Sequence, residues 1–257
     1  MKPSRAIVIL SCDKYSDLWE QITTNVKDNL ADLQMPIYLV TNTIQFTDSE
    51  INILSTGEDK NWSDSLNAAL DKVREDSLLI ILDDVYIMEK PDSLRILRCF
   101  EILEKFNLAT LHTRPSPKKR RYNIHHKDWY EYSNKDEYTA NVHAFWDKSS
   151  LVNILESGEN AWDFEVYGSA RLNRHFMSGA LDVPLFNIAH LIEKGMWVPD
   201  IREIIEELNL SISLKSRAIS MESGLGRALK NLVFNFALNV LPSKPRRYFL
   251  NFFRRFS

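Results

Sequence analysis

Cysteine, long apolar runs and phosphate-loop glycines are what this chain lacks. Its 257 residues hold two cysteines, Cys12 and Cys99. Two cysteines cannot frame a disulfide scaffold, and nothing around them resembles a zinc array. No apolar run approaches the roughly 20 residues of a membrane-spanning helix. The run Ala6 to Leu10 is too short for the core of an export signal and ends in Ser11-Cys12-Asp13. The expected setting is therefore a reducing compartment. There is no Gly-x-Gly-x-x-Gly, no Gly-Lys-Ser/Thr loop and no Gly-x-Ser-x-Gly. Those absences argue against a dinucleotide fingerprint, a P-loop and a nucleophile-elbow hydrolase. Internal repeats, coiled-coil heptads and low-complexity tracts are missing too.

Acid is missing from one end only. Seven of the 32 Lys and Arg lie after Glu222, and none of the 35 Asp and Glu does. The remaining 25 basic residues thus face 35 acids, and a cationic tail follows an acidic body. The rest of the composition is that of a folded domain. At 44% hydrophobic, 26% charged and a net charge of −3, disorder throughout is excluded. The length suits one large domain or two small ones.

Residues 5–12 read as a buried first strand. Apolar side chains then recur four apart at Leu18, Ile22, Val26 and Leu30, a helical period. Residues 36–40 form the next strand, and Thr41-Asn42-Thr43 ends it. Strand, helix, strand is a βαβ start and predicts a parallel sheet. A second helix opens at Trp62, with Ser63 or Asp64 as its cap and Leu66, Ala69, Leu70 and Val73 facing inward. Leu78 to Leu82 is the most apolar strand of the body, the pattern of a central strand covered on both faces. Pro91 begins a helix to about Phe106, with Leu94, Leu97, Phe100 and Leu103 inside. A short strand follows at 109–112. Residues 113–139 form a polar, aromatic loop region carrying Lys118 to Arg121, Trp129, Tyr130 and Tyr132. A strand at 142–146, helical segments at 148–155 and 162–176, a strand-like piece at 183–188 and a short acidic helix at 201–208 complete the body. Gly195 reads as the C-cap of a helical piece.

Asp83-Asp84 is the sharpest chemical feature. Ligands of open α/β sheets bind beyond the carboxyl ends of strands. Two adjacent carboxylates there repel each other, so a cation bridging them to substrate phosphates is a natural partner. The competing explanation is a turn with two solvated acids. Asp163 and Glu165 stand at a loop-to-helix junction, where either can face a reacting hydroxyl or simply cap the helix and complement its dipole. His190 follows a short strand and can ligate a metal, touch a phosphate or merely pack. Nucleic acid is not an expected partner: the basic run 118–121 has aromatic neighbours, but the body is acidic.

Three segments carry a family resemblance: Ser11-Cys12-Asp13-Lys14-Tyr15 after the first strand, Trp62 to Leu70, and Leu82-Asp83-Asp84-Val85-Tyr86-Ile87. With Gly158 to Arg171 and Glu193 to Trp197, their order and spacing resemble a bacterial GT-A-type glycosyltransferase of surface polysaccharide synthesis, lipopolysaccharide or capsule. The resemblance covers roughly residues 5–200. It implies an α/β fold with a mostly parallel central sheet flanked by helices, and a nucleotide-diphosphate sugar donor. It implies donor contacts from Ser11, Cys12, Asp13, Tyr15, Trp62, Asp64, Asn67 and Asp83. Asp84 and His190 are then the metal candidates for Mn²⁺ or Mg²⁺. The pair reads Asp-Asp-Val rather than Asp-x-Asp, so either acid can meet the metal, and a metal-independent version stays open. Glu165 or Asp163 is the implied base toward a glycan or lipid-linked acceptor, with Arg171, Lys194 and Trp197 as further substrate contacts.

The runner-up reading is a sugar nucleotidyltransferase, which would want a glycine-rich basic loop after the first strand. A third is a non-catalytic sugar-binding module at a membrane. The expected division is a catalytic domain at 1–224 and a basic aromatic segment at 225–257. That segment mixes Arg246, Arg247, Arg254 and Arg255 with five aromatic residues and suits an anionic membrane surface. The alternative is a pair of helices that close the core. The expected location is cytoplasmic, peripheral to the inner face of the cytoplasmic membrane.

Overall fold

A computed structural model describes residues 3–115, 124–132 and 139–221. Its strands are β1 (Arg5–Leu10), β2 (Ile37–Thr41), β3 (Ile51–Ser55), β4 (Ser77–Leu82), β5 (Val85–Ile87) and β6 (Leu108–His112). They continue with β7 (Trp129–Glu131), β8 (Ala144–Asp147), β9 (Met177–Leu181), β10 (Ile188–His190), β11 (Ile192–Glu193) and β12 (Met196–Trp197). Eight of them form one sheet in the order β3-β2-β1-β4-β8-β6-β9-β7. Six of these run in one direction, and β8 and β7 run against them. This is the mostly parallel α/β sheet the sequence predicts.

The helices are α1 (Trp19–Leu30), α2 (Trp62–Leu70), α3 (Ser93–Lys105), α4 (Lys148–Ile154), α5 (Ala161–Asp163), α6 (Ser169–His175) and α7 (Ile201–Leu208). Strand alternation sorts the core into two layers. Ile7, Ile9, Leu39, Leu79 and Ile81 pack with Ile22 and Val26 of α1, Phe100 and Leu103 of α3, and Ile201 of α7. Ala6, Val8, Val40, Leu78 and Ile80 pack with Leu66 and Ala69 of α2, Leu151 of α4, and Phe164 and Leu172. Each fully buried Leu, Ile or Phe contributes roughly 1.5–3 kcal/mol. Helices that lead from one parallel strand to the next start at the carboxyl edge, so α1, α2, α3 and the α5–α6 segment all begin there.

Several local expectations change. Asn61, rather than Ser63 or Asp64, caps α2 by accepting the Asp64 N–H. Asp92 caps α3, and Leu94 is 76% exposed, because the inward stripe of that helix is Ile96, Cys99, Phe100 and Leu103. Residues 183–188 are mostly loop, and the strand lies earlier, at β9. The region 113–139 contributes β7, an edge strand, so it is not loop throughout. Gly195 caps no helix. Lys194 and Gly195, with φ of 53° and 77°, form the two-residue turn between β11 and β12, where both central residues need positive φ.

Candidate functional site

The strand order reverses between β1 and β4: β2 and β3 extend one way from β1, and β4 opens the other. A crevice at the carboxyl end of such a reversal is where open sheets bind ligands. Leu10 of β1 stands opposite Leu82 of β4, so the next residues, Ser11 and Asp83, meet. Ser11 Oγ donates to Asp83 Oδ2 at 2.5 Å and accepts from Trp19 Nε1 at 2.7 Å. Burial pushes the Asp83 carboxyl up to about 7. The Ser11 bond opposes that shift and the Asp84 charge adds to it. An acid in this state carries a proton for part of the time near neutrality.

Asp84 is presented by a small ribbon. Its carbonyl accepts from Leu191 N at 2.9 Å, and β5 pairs antiparallel with β10 so that His190 faces Val85. Asn25 of α1 pins β5 through both amide atoms, to Ile87 N and O at 2.9 Å each. His190 Nδ1 thereby comes within 3.8 Å of Asp84 Oδ2. Asp84 Oδ1 is buried and without a hydrogen-bond partner among the described residues. No group of three His, Cys, Asp or Glu side chains gathers among those residues to hold an ion. One carboxylate with an orphaned oxygen and one imidazole still fit Mg²⁺ or Mn²⁺, which take few protein ligands and complete their shell with substrate phosphates and water.

The turn after β1 supplies the wall. Residues Asp13–Leu18 form a 3₁₀ turn broken at Tyr15. Asp13 accepts from the backbone of Asn42, Thr43 and Ile44 at 2.8–2.9 Å and from Thr43 Oγ1 at 2.7 Å. Burial works against the charge, but these bonds hold its carboxyl below the usual range. Asp13 therefore fastens this turn to the β2 loop. Tyr15 is half-buried, and burial together with the charges of Asp83 and Asp84 pushes its hydroxyl up to about 12. Burial also raises the Cys12 thiol.

On the other side of the sheet, α2 and α5 meet at their N-termini. Ser63 N donates to Glu159 O, and Glu159 N to Ser63 Oγ, each at 3.1 Å. The Trp62 and Phe164 rings stand 5.2 Å apart. This brings Trp62, Asp64, Asp163 and Glu165 to one edge, with Asn67 exposed farther along α2. Asn160, rather than Asp163, is the cap of α5, and it accepts the Asp163 N–H at 2.9 Å. Arg171 is turned inward, onto Glu159 at 2.6 and 3.0 Å and the Ile154 carbonyl at 2.7 Å. Trp197, expected as a substrate contact, is fully buried in the core. Lys194 sits exposed on the β11–β12 turn.

Two features had no warning in the sequence. A cavity of about 620 Å³ opens beyond the end of β6, lined by Thr113, Arg114, His143, Phe186 and Asn187 among others. His143 precedes β8, and both its ring nitrogens are buried without a partner among the described residues. Burial, then the charges of Arg114 and His190, push the ring down to about 4. The other feature is Arg217, which forks onto Asp17 in the wall of the crevice. His143 sat inside an apolar run already assigned to a strand, and Arg217 is 200 positions from Asp17.

An open α/β sheet with acids at its topological switch defines a ligand-binding class. No protein-family model matches the sequence, and no curated protein sequence matches it. Among solved structures, S. aureus TarS 1-349 is similar, with 13% identity over 94% of this chain and 77% of that one, at a TM-score of 0.49. TarS 1-349 in complex with UDP-GlcNAc gives the same values. A UDP-glucose pyrophosphorylase complexed with UDP-glucose is similar at 9% identity and a TM-score of 0.49, over 80% of this chain and 97% of that one. With scores below 0.5, these likenesses say nothing of the reaction this chain performs.

Proposed function

We propose that the chain is a glycosyltransferase that moves a sugar from a nucleotide-diphosphate donor to a hydroxyl of a glycan or lipid-linked acceptor, in surface polysaccharide synthesis. The observation that carries this reading is the Trp19–Ser11–Asp83 network at the β1–β4 switch, with Asp84 and His190 beside it. Ser11, Cys12 and Tyr15 would line the nucleoside side, and Asp83 would hold the donor. Asp84 and His190 would hold Mn²⁺ or Mg²⁺, which offsets charge on a departing diphosphate. Glu165 or Asp163 would take the proton of the acceptor hydroxyl as its oxygen bonds to the anomeric carbon. The bond from that carbon to the phosphate oxygen breaks in the same step, the nucleoside diphosphate leaves, and the configuration inverts.

A nucleotidyltransferase is the weaker reading, because the Asp13–Leu18 turn has no glycine and Asp13 is occupied by the β2 loop. A screen of UDP-, GDP-, CDP- and dTDP-sugars with and without manganese tests both. Metal-stimulated release of nucleoside diphosphate is expected. Release of pyrophosphate from a nucleotide triphosphate and a sugar phosphate would favour the second reading, and turnover of neither kind would sink both.

No helix among the described residues is long and apolar enough to cross a membrane. The segment 225–257 lies outside the described residues. Its sequence supports peripheral attachment to an anionic surface, which salt-sensitive sedimentation with anionic vesicles would reveal.

A further inference from the structure

Arg217 lies far along the chain from the proposed donor crevice, yet it grips that crevice's wall. Its Nε is 3.0 Å from Asp17 Oδ2 and its Nη2 is 2.7 Å from Asp17 Oδ1, a fork on one carboxylate. Nη2 also donates to the Lys14 carbonyl, and Nη1 to the Gly195 carbonyl at 3.3 Å. The guanidinium carbon lies 4.6 Å from the centre of the Tyr15 ring and 6.0 Å from that of Trp197. The backbone around it is fixed as well: Trp197 N donates to Ala218 O at 2.9 Å, and Ser220 N to Trp197 O at 2.8 Å. Residues 217–220 thus lie along β12 as an added extended segment.

The turn carrying Tyr15 is therefore pinned at both ends. Asp13 fastens it to the β2 loop, and Asp17 fastens it to Arg217. Between them Tyr15 carries the guanidinium against its ring, while its hydroxyl lies in the field of Asp83 and Asp84. An arginine has five N–H donors, and these bonds engage four of them. Little is left to bind a phosphate directly, so any effect on a ligand passes through Tyr15 and the turn.

We propose that Arg217 is a positioning residue for nucleotide binding, holding Tyr15 and the Asp13–Leu18 turn as one wall of the β1–β4 crevice. This rests on the nucleotide-sugar reading above. The fork is a property of a guanidinium, and an ammonium does not reproduce it. Arg217→Lys should therefore behave like Arg217→Ala and not like the wild type.

The test is calorimetric binding of UDP, GDP, CDP and dTDP to the full chain in manganese buffer, followed by donor hydrolysis kinetics. For whichever nucleotide binds, Arg217→Lys, Arg217→Ala and the isosteric Asp17→Asn should each raise Kd roughly tenfold. The Asp17→Asn/Arg217→Lys double variant should be little worse than either single one. Donor KM should rise with Kd while kcat stays within about twofold, a split that general loosening of the fold would not produce. Should Arg217→Ala unfold, Asp17→Asn and Arg217→Lys carry the test. Wild-type affinity in folded variants, or equal losses in kcat and kcat/KM, would overturn the role of Arg217 and leave the donor reading standing. A wild-type chain that binds none of the four nucleotides would overturn the donor reading and this proposal with it.

Discussion

Two buried ionisable side chains at the carboxyl edge are treated in opposite ways. At the β1–β4 junction, Asp83 is buried but partnered, with Ser11 bonded to it and Trp19 bonded to Ser11. At the start of β8, the His143 nitrogens are buried with no partner among the described residues. Burial drives both groups toward the neutral form, which raises the acid and lowers the base. The partnered group belongs to a finished local network. The orphaned one forgoes hydrogen bonds worth about 1 kcal/mol or more each. The contrast separates the Asp83 network, whose members are bonded to one another, from a part of the edge that adjoins an open cavity.

The largest effect should come from Asp84, the acid beside that network whose Oδ1 is left open. Asp84→Asn keeps the shape and removes the charge, so turnover with manganese should fall about 10³-fold with the melting temperature unchanged. Near-wild-type rates would remove the acid pair from the chemistry. Glu165→Gln comes next, with an expected loss of about 10²-fold in the chemical step and little change in donor affinity. Asp163→Asn is its control. If the two exchange roles, Asp163 is the base, and if neither slows the reaction, the base lies elsewhere.

The third prediction sets the two buried groups against each other through pH. Asp83 keeps its proton up to about 7 when folded, against 3.8 otherwise. The stability it confers is complete below 3.8 and lost as pH rises to about 7. His143 refuses a proton down to about 4 when folded, against 6.5 otherwise. The unfolded chain takes that proton first, so stability falls as pH drops from 6.5 toward 4. Between about pH 4.5 and 6 the slopes oppose, each approaching about 1.4 kcal/mol per unit. Urea unfolding in chelator should show His143→Phe losing stability with rising pH in that window and Asp83→Asn gaining it. Parallel profiles in both variants and the wild type would erase the contrast. The smallest effect is at constant pH 7. Ser11→Ala should cost about 1–2 kcal/mol by unpairing Asp83, while His143→Phe should cost nothing or stabilise by about 1 kcal/mol.

How much of this the sequence revealed follows the same division. β1, β2 and β4 are buried almost throughout, so their apolar runs were unmistakable, and the acids that end β4 stood out against them. β3 escaped notice because an edge strand is only partly buried. β9 escaped for a steric reason. A Cβ on Gly179 would lie 2.9 Å from Trp129 Cε3 and from the Tyr130 carbonyl, so that position takes glycine, and with Ser178 and Ala180 beside it the strand has no β-branched signature. The same packing hid β7, whose Trp129 and Tyr130 looked like loop aromatics. Arg217 and Asp17 had no local pattern to betray them, since nothing in periodicity links residues from opposite ends of a chain.

Between α5 and α6 the helix passes through a π-turn, Phe164–Gly168. Such a turn holds one residue more than an α-helical turn of the same span. On its far side Ser169 Oγ is tied down, accepting from Thr139 N and Ala140 N at 2.9 Å each. The wide turn absorbs that residue and keeps the helix before and after it nearly in register; wound as regular α-helix, the same residues would swing everything before the turn, Asp163 included, by about 100° around the axis. The direction in which those acids face is thus set by the winding of the turn as well as by residue type. A chain with the same letters wound as regular α-helix here would aim its carboxylates at a different wall, although no letter had changed.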